Sequence, residues 1–383
     1  MKRHEIKTQA LLAFCALAGL LIVFAANRSL TSYKLPYYDE MKDAALLMEE
    51  LTLIIRERRE ELGYPVIQLY DFNATGFIGQ EFSSITTTVG NIEAKRTAAS
   101  PGFAALMVRL LREAGLKNGD TIAIGASGSF PGAFIASLCA ARVMNLRVIA
   151  AISLGSSNWG ANIPGFTILD MYQLLEDRLP VEALLVSLGG SKDTGNDFGL
   201  GLIEGGRGEM IRKMYSSGLP FILEADFTAA VRARMDFYDT HAGPQGIAAF
   251  VNIGGADVNI GLGVWSLELQ PGINLNSGNS RFAIKRGLEE GGCISAFLFE
   301  GKPVINILNI RALSVSYGMA FDPFPLPEIG SEGLYFQNEP TRHKIVFLAA
   351  TIFYFIICAG TAVLLRKEKY SQPASNLIEL QPL

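Results

Sequence analysis

Histidine is nearly absent. The chain has three in 383 residues, and His4 and His343 both lie beside its hydrophobic ends. His241 is therefore the one imidazole left to a soluble body, which removes His-pair metal sites and the H-E-x-x-H helix. Cysteine is scarce too: of four, Cys15 and Cys358 fall in apolar end segments, leaving Cys139 and Cys293. Two cysteines make neither a disulfide framework nor a zinc spacing. They read as buried free thiols, with a single bridge as the alternative. Charged residues are only 18% of the chain and the net charge is −4, without a run of one sign or a basic–aromatic stripe. No nucleic-acid partner is expected on that balance. Acidic groups such as Glu224/Asp226 or Asp193/Asp197 are too sparse to argue for a hard cation. No metal and no cofactor is expected.

Long hydrophobic runs are present, one near each end. Residues 8–26 and 345–365 carry no charge, and about 20 such residues in a helix cross the hydrocarbon core. The first also has the basic start of a signal peptide and a Val23-Phe24-Ala25 cleavage pattern, but its apolar run exceeds the usual h-region. Phe14 stands where lipoprotein processing at Cys15 needs a small residue. Lys2, Arg3 and Lys7 precede the first run, and Arg366, Lys367 and Lys369 follow the second. Arg28, Lys34, Arg342 and Lys344 on the inner flanks are fewer, so both termini are expected in the cytoplasm and residues 27–342 outside it.

Between the runs, helical and strand patterns alternate. Residues 39–62 repeat apolar side chains at helical spacing up to Gly63, a helix expected to pack on the domain rather than lie on a membrane. Short apolar strands are predicted at 121–125, 147–153, 183–187, 221–223 and 247–253, with another at 304–308. Helices are predicted at 101–114, 133–144, 167–175, 209–215 and 228–238. Buried apolar strands separated by helices imply an α/β fold, a mostly parallel open sheet flanked by helices, set between two terminal transmembrane helices. The expected division is a tail and span (1–27), a membrane-proximal linker and helix (28–63), an extracytoplasmic α/β domain (64–322), a Pro-rich tether (323–344), a second span (345–365) and a cytoplasmic tail (366–383).

In a parallel sheet the ligand crevice lies beyond the carboxyl ends of the strands. Here those ends read Gly125-Ala-Ser-Gly-Ser129, Ser153-Leu-Gly-Ser-Ser157, Ser187-Leu-Gly-Gly-Ser191, Glu224-Ala-Asp226 and Gly254-Gly-Ala-Asp257. Five polar, Gly-rich turns on one edge point to a binding face. The loop Ile124-Gly-Ala-Ser-Gly-Ser-Phe-Pro-Gly132 adds a helix start, which suits an anion, or is simply a tight strand-to-helix turn. It is neither a Walker loop nor a G-x-G-x-x-G turn. Its candidate ligand groups are Gly125, Ser127, Gly128, Ser129 and Gly132, joined by Ser156 and Ser191. Lys95 and Arg96 either supply positive charge beside this loop or are solvated surface charge. A catalytic alternative takes Ser127 as the nucleophile of a damaged G-x-S-x-G elbow, with Ser129 where the last Gly should stand. His241 would be its base and Asp226, or else Asp170, Asp193 or Asp197, its orienting acid.

The N-terminal anchor, the stretch Glu93-Ala-Lys-Arg-Thr97, the loop Ala126-Ser-Gly-Ser-Phe-Pro131 and the C-terminal anchor resemble the poly-gamma-glutamate system protein family. The resemblance covers nearly the whole chain. It implies a membrane-anchored accessory protein of poly-γ-glutamate synthesis or export, with the synthase and export membrane proteins, the anionic polymer and the lipid bilayer as partners. It names a pathway and no catalytic residue. Two rival expectations are a serine hydrolase or transpeptidase-like enzyme acting on the polymer, and a phosphate- or sugar-binding module or protein scaffold.

Overall fold

A computed structural model of the chain describes residues 2–28, 32–179, 181–263, 265–276, 287–338 and 340–370. It forms two units: Pro36–Tyr335, and the two chain ends together.

The central unit is built on a sheet whose strands are β2 (Thr121–Ser127), β3 (Arg147–Ser153), β4 (Ala183–Ser187), β5 (Phe221–Ile222), β6 (Ile247–Ile253), β7 (Gly272–Asn274) and β8 (Val304–Ile307). Their order is β5-β4-β3-β2-β6-β8-β7, parallel throughout except for β7 on β8. The chain builds outward from β2 to β5, then returns to β2's other side with β6. That reversal is the switch point where open α/β sheets place a ligand. Every residue of β2 is buried, as expected of a strand covered on both faces.

One face carries Ala123, Ile149 and Phe250 against α8 (Phe227–His241) and α10 (Gly287–Phe299), with Tyr238 and Phe297 at the centre. The other is covered by α2 (Tyr38–Glu61), α4 (Pro101–Glu113), α5 (Pro131–Val143) and α6 (Ile168–Leu175). Helix α2 buries Met41, Ala44, Ala45, Met48, Leu51 and Ile55, one apolar stripe at helical spacing. It packs on α4 and α5, so its apolar face is spent on the domain. Its Arg59, 3% exposed, donates to the carbonyls of Tyr64, Gly76 and Ile78 and ties the following loop down.

The expected strands are found, β3, β4 and β6 at the predicted bounds. Cys139 and Cys293 are buried free thiols. The tether expected from 323 begins as part of the domain: Asn73 donates to the Pro323 carbonyl at 3.0 Å, and Phe324 packs edge-on to Phe72.

The end unit pairs α1 (Lys2–Arg28) with α12 (Pro340–Tyr370), joined by a short antiparallel ladder of β1 (Ser32–Lys34) and β9 (Phe336–Asn338). Cys15 Sγ lies 3.3 Å from Thr361 Oγ1, and Gly19 faces Tyr354. Contacts that climb one helix while descending the other make the pair antiparallel. Within α12, Ile345–Arg366 is long and apolar enough to cross a membrane, whereas Thr8–Phe24 of α1 is shorter. Large apolar side chains such as Leu20, Phe24, Phe355 and Ile356 stand exposed on both. Of the expected C-terminal tail, residues 371–383 lie outside the described residues.

Candidate functional site

A cavity of ≈ 680 Å³ opens over the carboxyl ends of the sheet. It lies where the order of strands reverses. Ser127 comes to it from the end of β2 and Ser129 from the loop after it, Gly155 and Ser157 from that after β3, Gly190, Ser191 and Asp197 from that after β4, and Gly255 and Asp257 from that after β6. Four of the five predicted turns therefore meet. The fifth, Glu224-Ala-Asp226, is not in the lining because β5 is the edge strand, three places from β2. Asp226 instead caps α8 by accepting from the Ala229 amide at 2.8 Å.

Further lining comes from residues 87–91, α3 (Ile92–Ala98), residues 308–311, which include Arg311, and Phe321. The first is held by Thr86 bridging Ser156 and by the Thr87 amide on the Ser156 carbonyl at 2.8 Å. Helix α3 starts because Asn91 caps it, accepting from the Ala94 amide at 2.7 Å. That short helix carries Lys95 inward.

Lys95 is 4% exposed. Its Nζ donates to Ser157 Oγ at 2.6 Å and to the Ser129 carbonyl, and lies 3.9 Å from the centre of the Phe130 ring. Among the described residues no carboxylate forms an ion pair with it. Burial pushes its pKa down to about 7, because a desolvated ammonium without a countercharge is disfavoured. The aromatic face and two neutral oxygens soften that effect but supply no negative charge.

Ser127 Oγ on the cavity wall is buried and has no hydrogen-bond partner among the described residues. Gly254 makes the room for it. At φ +85° a Cβ there would come 2.4 Å from Ser127 Oγ, so both backbone and space require glycine. The Ser129 hydroxyl accepts from the Ser157 amide at 2.9 Å and ties the first two loops together.

The remaining predicted groups have other work. Gly125, Gly128 and Gly132 are outside the lining; side chains there would meet Asn259, the Leu154 carbonyl and α3 respectively. Ser156 is buried and donates to the Gly128 carbonyl at 3.0 Å. Ser191 reaches the cavity. Arg96 does not: it forms a two-pronged pair with Asp322 at 2.7 and 2.6 Å and stacks on Phe72.

The structure does not bring Ser127 and His241 together. Strands β2 and β6 run parallel, paired from Thr121/Ile247 to Ala126/Ile253 with a one-residue shift after Thr121. His241 ends α8, just before β6 begins, while Ser127 ends β2. About 20 Å of strand, at ~3.3 Å per residue, separates these edges. His241 Nδ1 lies 2.8 Å from the Phe237 carbonyl on its own helix. Of the other orienting acids, Asp197 shares the cavity with Ser127 but has no histidine there, and Asp170 and Asp193 have structural partners. Asp170 caps α6 through Thr167 and pairs with Lys213.

Asp193 is buried below the cavity against Arg234 at 3.1 Å, with both side chains closed to solvent. It also accepts from Ser187 Oγ at 2.7 Å and the Gly189 amide at 2.9 Å. Lys192 and Asp193 hold left-handed backbone at φ 53° and 66°, a cost such a network can sustain. The ion pair thereby fixes the loop that carries Ser191 and Asp197. Asp257, from the loop after β6, accepts from the Lys192 amide at 2.8 Å. Its burial, then the nearby Asp197 and Asp193 charges, raise its pKa.

No family model, curated protein or solved structure matches this chain.

Proposed function

We propose that this chain is a membrane-anchored accessory protein of poly-γ-glutamate synthesis or export, and that its cavity binds the polymer's carboxylates. The observation that carries the binding reading is Lys95, a buried ammonium that no carboxylate of the described chain neutralises. A ligand carboxylate would complete that half-made ion pair, and Ser127 Oγ would give it a hydroxyl donor. The polymer presents such a group at every unit. The pathway itself rests on the resemblance carried by Glu93-Ala-Lys-Arg-Thr97 and Ala126-Ser-Gly-Ser-Phe-Pro131. Synthase and export membrane proteins are the partners it implies.

Two membrane spans, cytoplasmic termini and an extracytoplasmic domain belong to the same proposal. Helix α1 supports it by running antiparallel to α12 from a shared ladder, and the basic outer flanks at both ends support the orientation. The binding experiment uses the full chain in detergent and a defined oligo-γ-glutamate. Saturable binding that falls at least tenfold in Lys95→Met is expected; no binding by the unaltered protein rejects the reading.

One observation favours a second reading, acyl transfer. Lys95 Nζ is 2.6 Å from Ser157 Oγ, so a neutral Lys95 can act as base where His241 cannot reach. Ser157 Oγ would add to an amide carbonyl as its proton passes to Lys95, which then protonates the leaving amine. A fluorophosphonate should then label Ser157, and not in Lys95→Met. An unlabelled Ser157 in the unaltered protein removes this reading.

A further inference from the structure

The cavity lining carries charge of both signs. It holds Lys95 and the Ser127 hydroxyl, both at least nine-tenths buried, the hydroxyl without a partner among the described residues. The loops after β4 and β6 bring two carboxylates into the same lining, Asp197 and Asp257. Among the described residues each has a hydrogen bond on one oxygen only: Asp197 Oδ1 takes the Ser191 amide at 2.9 Å, and Asp257 Oδ2 takes the Lys192 amide. Neither forms an ion pair among the described residues, although the Lys192 charge offsets part of the burial of Asp257. The loop is built to hold Asp197 there. Gly190 sits at φ +71°, and a Cβ would come 2.1 Å from Asp197 Oδ1, so no other residue lets the carboxylate fold back over it.

An interior stretch of poly-γ-glutamate carries carboxylates alone and would meet Asp197 and Asp257 with like charge. A chain end differs. Its terminal unit has a free ammonium beside a carboxylate, which is the charge pattern of the cavity. We propose that the cavity is a chain-end site, taking the free amino terminus of a γ-linked glutamate chain with its ammonium against Asp257 and Asp197 and a carboxylate against Lys95. This rests on the anion-binding reading above and adds which part of the polymer is held. One buried ammonium and two half-buried carboxylates that form no ion pair among the described residues favour an amino-acid-like zwitterion as the ligand that satisfies both signs. Like charge against the two carboxylates supplies the discrimination against interior units. Bound in this way, the protein would mark or hold the growing or exported end of a chain rather than coat its length.

The test compares a defined γ-glutamate oligomer with its N-acetylated twin, using the full chain in detergent and its Asp257→Asn variant. Acetylation removes the ammonium and leaves every carboxylate in place. The free-amine oligomer should bind at least tenfold more tightly to the unaltered protein, and Asp257→Asn should narrow that preference. Equal binding of both oligomers overturns the chain-end inference while leaving anion binding standing. Failure of both to bind overturns the anion-binding reading itself. The comparison on the unaltered protein decides the matter even if Asp257→Asn does not fold.

Discussion

Lys95 Nζ lies 2.6 Å from Ser157 Oγ, on a side chain all but closed to solvent. Helix α3 supplies the lysine and the loop after β3 the serine, so one contact joins an element outside the sheet to the sheet's carboxyl edge. The consequence is a charge that the fold buries and leaves unanswered. A buried unpaired ammonium weakens the domain, and its retention makes physical sense where an anion arrives to meet it.

The first prediction follows from its titration. Lys95 is pushed from an ordinary 10.5 down to about 7, so between those values the unfolded chain holds a proton that the native protein has lost. Stability therefore rises with pH through that window, and the burial penalty is at full size below about pH 7. Without ligand, Lys95→Met should melt higher than the unaltered protein at pH 6, with the difference closing toward pH 10. Melting curves across pH check this; a gap that does not change with pH counts against it.

Ser127→Ala should weaken binding of an oligo-γ-glutamate about tenfold, since ~1.4 kcal/mol is a factor of ten. Stability should not fall, because Ser127 Oγ has no partner to lose. Arg96→Ala should behave oppositely. It breaks the Asp322 pair and the Phe72 stack, costing on the order of 1–3 kcal/mol of stability, while the folded protein keeps its affinity. Titration calorimetry and melting of both variants separate the roles.

The ion pair under the cavity gives a third. Asp193→Asn leaves Arg234 as a buried charge without a counterion, which costs about 3–5 kcal/mol. His241→Ala should cost under about 1 kcal/mol, the scale of a favourable charge at a helix end, and leave binding unchanged. Denaturant unfolding of each variant measures the contrast.

Topology supplies the fourth. Reporter fusions at Gly63 or Gly119, both left-handed glycines with open space around them, should be active only when exported. Fusions after Lys369 should be active only inside. Cytoplasmic activity at Gly63 would remove the extracytoplasmic placement.

The sheet was legible because its strands are short, continuously apolar and bounded by Gly, Asn or Asp, so β3, β4 and β6 stand at their predicted bounds. Beyond Gly254 the pattern fades. Helices α10 and α11 (Ile310–Ser316) and the antiparallel β7 lie among Gly- and Asn-rich stretches whose order comes from tertiary contact. The cavity edge was legible in outline: Ser127, Ser129 and Ser191 were expected there and line it.

Its chemistry was harder to read. Lys95 and Arg96 are neighbours of one charge, and only the direction each takes from α3 separates a buried ammonium from a surface ion pair. The signal that was available is Asn91, an N-cap two residues before Glu93, which marks the short helix. Ser157 and Asp257 stood in turns already singled out, but nothing local says that four strand ends converge. The segment 87–91 has no periodicity and gave no sign. His241 misled for a simple reason: scarcity made it the one available base, and scarcity carries no position.

The most direct test of the central claim, that a ligand anion answers the Lys95 charge, is proton uptake on binding. At pH 8 Lys95 is mostly neutral in the empty protein, because its pKa stands at about 7. A bound carboxylate raises that pKa again and draws a proton from the buffer. Titrating oligo-γ-glutamate at pH 8 in two buffers of different ionisation enthalpy measures the number taken up. Uptake approaching about one proton is expected for the unaltered protein, and none for Lys95→Met. Binding with no proton uptake, or binding that Lys95→Met leaves at full strength, would contradict it.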